Sequence, residues 1–106
     1  MGVIVGGQVL FAPGEIDRLR EEMDTVIAAT RTEPGCLHYS YARQLENPDR
    51  IIIFEHWEHG DALRAHFKTP HMAVWYEHLS TANVLERNVQ VFPFDAPKQL
   101  RDYRDD

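Results

Sequence analysis

Apolar positions along the chain alternate between two periods, and each change of period marks a new element. Residues 3–11 are mostly apolar and β-branched and predict a strand, with Gly6 and Gly7 marking a bulge or the close approach of another backbone. Ala12-Pro13-Gly14 breaks it. Over 15–31, Ile16, Leu19, Met23, Val26 and Ile27 fall at helical spacing, while Asp17, Arg18, Glu21, Glu22 and Asp24 take the wet side. Glu33-Pro34-Gly35 ends that helix, and period two returns. Leu37, Tyr39, Tyr41, Arg43 and Leu45 share one face of a strand over 36–45, opposite Cys36, His38, Ser40, Ala42 and Gln44. A polar turn over 46–50 then folds the chain into an antiparallel hairpin. In the returning strand, 51–58, Ile51, Ile53, Glu55 and Trp57 face one way and Ile52, Phe54, His56 and Glu58 the other. Both faces begin apolar, so both sides of the sheet are expected to be covered.

Asp61 is placed to cap a short helix over 62–68, and Thr69-Pro70 is a second helix start that opens 70–81. A last strand over 84–92 leads into a charged tail. The order β-α-β-β-α-β, with the second helix broken in two, predicts an α+β, ferredoxin-like split βαβ domain. Its antiparallel sheet carries helices on one face only, so the other face is expected to pack on a second copy of the chain. The domain is placed at 1–94 and the tail at 95–106, ending in Asp105-Asp106 and mobile unless it docks.

Composition narrows the function. Eleven Lys and Arg against 17 Asp and Glu give a formal charge of −6, the opposite of the basic face that nucleic acid requires. No apolar run reaches the roughly 18 residues of a membrane span. Cys36 is the one cysteine and cannot form an internal disulfide, which together with the absence of a leader-like start points to the cytoplasm. A chain of 106 residues holds one core, so a ligand site belongs between layers or against a second subunit.

Several short pieces, in order, then carry a resemblance: Glu33-Pro34-Gly35-Cys36, Tyr39, Phe54-Glu55-His56-Trp57, Ala62-Leu63, His66 and Thr69-Pro70-His71. Together they resemble the antibiotic biosynthesis monooxygenase family of the dimeric α+β barrel superfamily, over about residues 3–92. The resemblance implies a homodimer joined through its sheet faces and a pocket between sheet and helices. It also implies oxidation of a small phenolic, quinol or anthrone-like aromatic by O2 without a metal, flavin or haem. Such chemistry needs an apolar cavity, a base near the phenol and donors for the developing oxyanion.

On that basis the catalytic candidates are His66 and His71 as bases and Tyr39 and Tyr41 as oxygen-orienting donors. Trp57, Glu55, Arg43, Phe67 and Trp75 are the substrate-binding candidates, with Trp57 as the pocket wall. Glu55 stands between Ile53 and Trp57 on a buried face, so it must find a partner such as Arg43 or a backbone N–H, act as a catalytic carboxylate, or rise in pKa. No metal ligand set is expected: His56-x-x-His59 has ligand spacing, but a strand end splays the rings. Polyketide oxygenases of the family place polar residues where this chain has Ile53 and Leu63. A non-catalytic ligand-binding or dimerisation domain is therefore the alternative reading. Haem binding is a further one, against which strand one carries Gln8 and no Asn.

Overall fold

The computed structural model describes residues 1–104; Asp105 and Asp106, the expected mobile end, lie outside the described residues. The elements are β1 (Gly2–Phe11), α1 (Glu15–Arg18), α2 (Arg20–Thr30), β2 (Cys36–Arg43), β3 (Arg50–Trp57), α3 (Gly60–His66), α4 (Pro70–Ser80) and β4 (Val84–Phe94), followed by a 3-10 turn at Leu100–Tyr103. All strand pairs are antiparallel, in the order β2-β3-β1-β4, with the helices on one face. This is the α+β, ferredoxin-like plan.

The expected long first helix is two pieces. Leu19 joins them at φ −100°, ψ 10°, a bend that keeps both Ile16 and Leu19 buried on the sheet. The i−4 hydrogen bonds still run across it, from the N–H of Leu19 to the carbonyl of Glu15 and from Met23 to Leu19. Helix α3 is capped by His59 and not by Asp61: the His59 Nδ1 accepts the Ala62 N–H at 3.1 Å. Thr69 caps α4 as expected, its hydroxyl accepting the N–H of Met72, with Pro70 in the first turn.

Strand β2 differs from the plain alternation in one place that matters. Cys36 pairs with Trp57 and His38 with His56, so Leu37 is the extra residue of a bulge. The slip turns Leu37 out to solvent, 55% exposed, and turns Cys36 in against the core. The strand also stops at Arg43, and Leu45 stands fully in water. Strand β4 runs on through Pro93 to Phe94, which an edge strand tolerates because no neighbour needs the missing N–H.

The helix-facing side of the sheet is buried in two clusters. On the opposite side Ile52, Phe54 and Phe92 are exposed, in register with Ile4, Gly6 and Gln8 of the central strand. Pro97, Lys98 and Tyr103 of the tail border a groove there with Phe54, His56 and Phe94. Glycine is required where backbones meet: a Cβ on Gly7 would lie 2.1 Å from the Asn88 carbonyl oxygen across the β1–β4 pair. Gly35 sits at φ 81°, and its Cβ would strike Ala62.

Candidate active site

A cavity of about 210 Å³ opens between the inner face of the sheet and helices α2 to α4. Its walls are apolar, supplied by Val5 and Val9 of β1, Ile51 and Ile53 of β3, Met72 of α4 and their neighbours. Four polar side chains line its inner part, from three elements: Tyr39 and Tyr41 of β2, Glu55 of β3 and His66 of α3. Phe67, Tyr76 and Arg87 line it and are partly or largely exposed, so its mouth lies where β4 overhangs the helix layer.

The strand pleat sets the first group. Tyr39 and Tyr41 point the same way two residues apart, and their hydroxyls meet at 2.7 Å. Burial drives both phenols well above their ordinary pKa, so they stay protonated, and Tyr39 is raised further by its neighbour Tyr41. Glu55 pairs with Tyr39 across the β2–β3 ladder and accepts the Trp57 indole N–H at 3.0 Å. Burial pushes its carboxyl up to about 7, against the lowering effect of that hydrogen bond and with help from the negative Glu33. At neutral pH it therefore shares its population between acid and carboxylate.

The second group hangs on a residue read from sequence as part of a turn and of the family resemblance, but not as a site residue. One oxygen of Glu33, Oε2, takes His66 Nδ1 at 2.8 Å and His71 Nε2 at 2.7 Å. With a carboxylate on Nδ1, the neutral His66 ring carries its proton there and leaves Nε2 as an acceptor. Nε2 has no hydrogen-bond partner among the described residues, and the ring lines the cavity. Burial lowers the His66 pKa in spite of Glu33, so the ring is neutral and basic at physiological pH.

Several candidates fall elsewhere. Trp57 is 0% exposed and does not wall the cavity; its ring packs 4.9 Å from His66, and its N–H orients Glu55. Arg43 is drawn away by an ion pair with Asp17 at the far end of β2, so it neither reaches the cavity nor partners Glu55. His71 touches Glu33 but lines a different cleft, between α2 and α4. Phe67 and Trp75 are both on the cavity wall. Leu63 is buried in the core beside Trp57, so its lack of polarity says nothing about the cavity, whereas Ile53 does line it. Glu33, Tyr76 and Arg87 were not anticipated. Two histidines flanking the α3–α4 break, both needing a partner, were the available signal for Glu33.

The family profile described as antibiotic biosynthesis monooxygenase matches residues 2–78. The chain belongs to the antibiotic biosynthesis monooxygenase family. Among curated relatives, YgiN of Escherichia coli, named "Probable quinol monooxygenase", is 29% identical over 94 residues, covering 79% of this chain and 89% of YgiN. An uncharacterised protein of Synechocystis is 29% identical over 75 residues, 71% of this chain, and the match spans about half of that protein (51%). A solved Deinococcus radiodurans structure named for the same family superposes with a TM-score of 0.82 at 26% identity, over 92% of this chain and 97% of that one. Rv0793 of Mycobacterium tuberculosis has the same fold, with a TM-score of 0.80 at 24% identity over 92% and 100% of the two chains. Among the described residues no helix is long and apolar enough to cross a membrane.

Proposed function

We propose that this family member is a cofactor-independent monooxygenase that oxidises a small phenolic or quinol-type aromatic with O2. The observation that carries the reading is the apolar cavity with one unpartnered imidazole nitrogen, a pair of protonated phenols and a carboxyl near neutrality. His66 Nε2 takes the substrate hydroxyl proton, and Glu33 holds the ring and steadies the imidazolium that forms. The Tyr39–Tyr41 pair donates to the resulting oxyanion, in a site dry enough to make that bond strong. The electron-rich ring passes an electron to O2, and the radicals combine at carbon to form a C–O bond. The peroxide that results loses water to leave a carbonyl. One dioxygen is consumed, one of its oxygens ends on carbon and the other in water, so no external reductant is required.

The name of YgiN and the family match support a quinol-type substrate. The exposed row of Ile52, Phe54 and Phe92 supports a homodimer through the sheet faces, which sedimentation would report as twice the 12.3 kDa chain mass. The lone, free Cys36 supports a cytoplasmic location. Oxygen uptake by the folded protein, with a panel of dihydroxyaromatics and anthrones, tests the activity. Tight binding of those compounds with no uptake would instead favour the ligand-binding module, for which the apolar Ile53 on the cavity wall is the supporting observation.

A further inference from the structure

Behind the cavity wall the two histidines and Glu33 form a second constellation. The ligand atoms Glu33 Oε2, His66 Nδ1 and His71 Nε2 all lie within 4.8 Å of one another. They come from three segments: the α2–β2 turn, the end of α3 and the first turn of α4. The turn is set by Gly35 and the start of α4 by the Thr69 cap, so the donors are brought together before any ion arrives. We propose that Glu33, His66 and His71 bind a divalent transition-metal ion of the zinc class, back to back with the cavity and sharing His66 with it.

Two imidazole nitrogens and one carboxylate oxygen are a donor set that zinc-class ions accept, at about 2.0–2.2 Å from each. Tetrahedral bonds of that length need neighbouring donors roughly 3.3 Å apart, so the present 2.8 and 2.7 Å contacts must each open by about half an ångström. His71 is the part that can give, since its side chain is 23% exposed while that of His66 is 1% exposed.

The way in is separate from the cavity. Glu33 and His71 do not line the cavity, and His71 borders a cleft of about 310 Å³ between α2 and α4. Glu21 and Glu22 stand on the wall of that cleft, and no Lys or Arg does. Glu22 Oε2 is buried there without a hydrogen-bond partner among the described residues; Arg18 acts on Glu22 through space but does not hydrogen-bond to it. The cleft thus draws cations toward the ligand set and carries an oxygen that still lacks a partner.

Occupancy has a consequence for the cavity, and this part rests on the base role proposed above for His66. An ion on Nδ1 replaces the proton held there, and the neutral ring then keeps its proton on Nε2. The cavity-facing atom changes from acceptor to donor, and the base is switched off.

Calorimetric titration of the chelator-stripped full-length protein with Zn2+, without substrate, tests the site directly. One ion per chain is expected, with Glu33→Gln and His71→Ala each weakening binding at least tenfold and His56→Ala leaving it unchanged. The Co2+-loaded protein is expected to show the visible bands of a tetrahedral site, lost in His71→Ala. Absence of binding at Zn2+ concentrations on the order of 100 μM, or binding that survives both Glu33→Gln and His71→Ala, would overturn the site whatever the turnover assays give. Binding without loss of turnover, in protein that does consume oxygen, would keep the site and overturn its coupling to the base.

Discussion

The two buried clusters under the helices are built from different materials. The one beneath α1, α2 and α4 has no ionisable member, with Leu19, Met23, Val26, Met72 and the aromatics Phe11 and Trp75 packed on Val9 and Ile51. The one beneath α3 holds Val3, Val5 and Leu63, but also Tyr39 and Trp57, with the buried Glu55 and His66 among them. Residues of both line the cavity: Val9, Met23 and Met72 from the first, Val5 and Tyr39 from the second. The contrast is one of tolerance. The first cluster stabilises by removing apolar area from water, and its members need only fit. The second gives up part of that gain to desolvated polar groups, each of which requires a specific partner.

The largest way to break the contrast is to remove the unpartnered imidazole nitrogen at the cavity wall. His66→Ala is expected to cut turnover about 10²- to 10⁴-fold, read as oxygen uptake by protein whose circular dichroism is unchanged. Turnover within a few-fold of the parent would relocate the chemistry. Leu19→Ala, in the first cluster and off the cavity, is expected to cost about 3–4 kcal/mol in urea unfolding, with its effect on stability and not on the pH profile.

Glu55→Gln sharpens the comparison through pH. The Glu55 carboxyl sits at about 7 in the folded chain against an ordinary value of 4.5, so the folded state favours its protonated form. That contribution is full below about pH 4.5, declines as pH rises, and is lost above about 7, on the order of 3 kcal/mol in all. The glutamine variant still accepts from Trp57 and should show that slope removed. An unchanged slope would mean the carboxyl is charged in the fold. The smallest test is Thr69→Ala, which removes the cap of α4 and should cost about 1 kcal/mol. Thr69 lies between the helices serving the two clusters, so a larger loss would show that they unfold as one unit.

How far each region could be read from the sequence follows from the same contrast. The first cluster was legible because Ile16, Leu19, Met23 and Val26 announce their face by spacing alone. The antiparallel sheet with helices on one face followed from the β-α-β-β-α-β pattern. Phe67, Trp75 and the two tyrosines, singled out as aromatic candidates, all line the cavity. What was lost depended on partners distant in the chain. Leu37 points outward because of a bulge that exists only against β3. Arg43 pairs with Asp17, 26 residues earlier in the chain, and does not line the cavity. Glu33 became a hub only when the fold brought residues 33, 66 and 71 together; the chain shows two histidines in need of a partner but not which residue supplies it.

The position of β1 in the sheet has a cost in time. It is one of the two inner strands, yet it precedes both of its partners along the chain: Val5 pairs with Glu55 on one side and with Val91 on the other. Closing the second pairing means ordering nearly the whole chain, the non-local contact pattern that slows folding. Until β4 arrives, an apolar strand containing two adjacent glycines offers an open edge to other chains. Refolding yield should therefore fall with protein concentration well before equilibrium stability gives any sign of trouble.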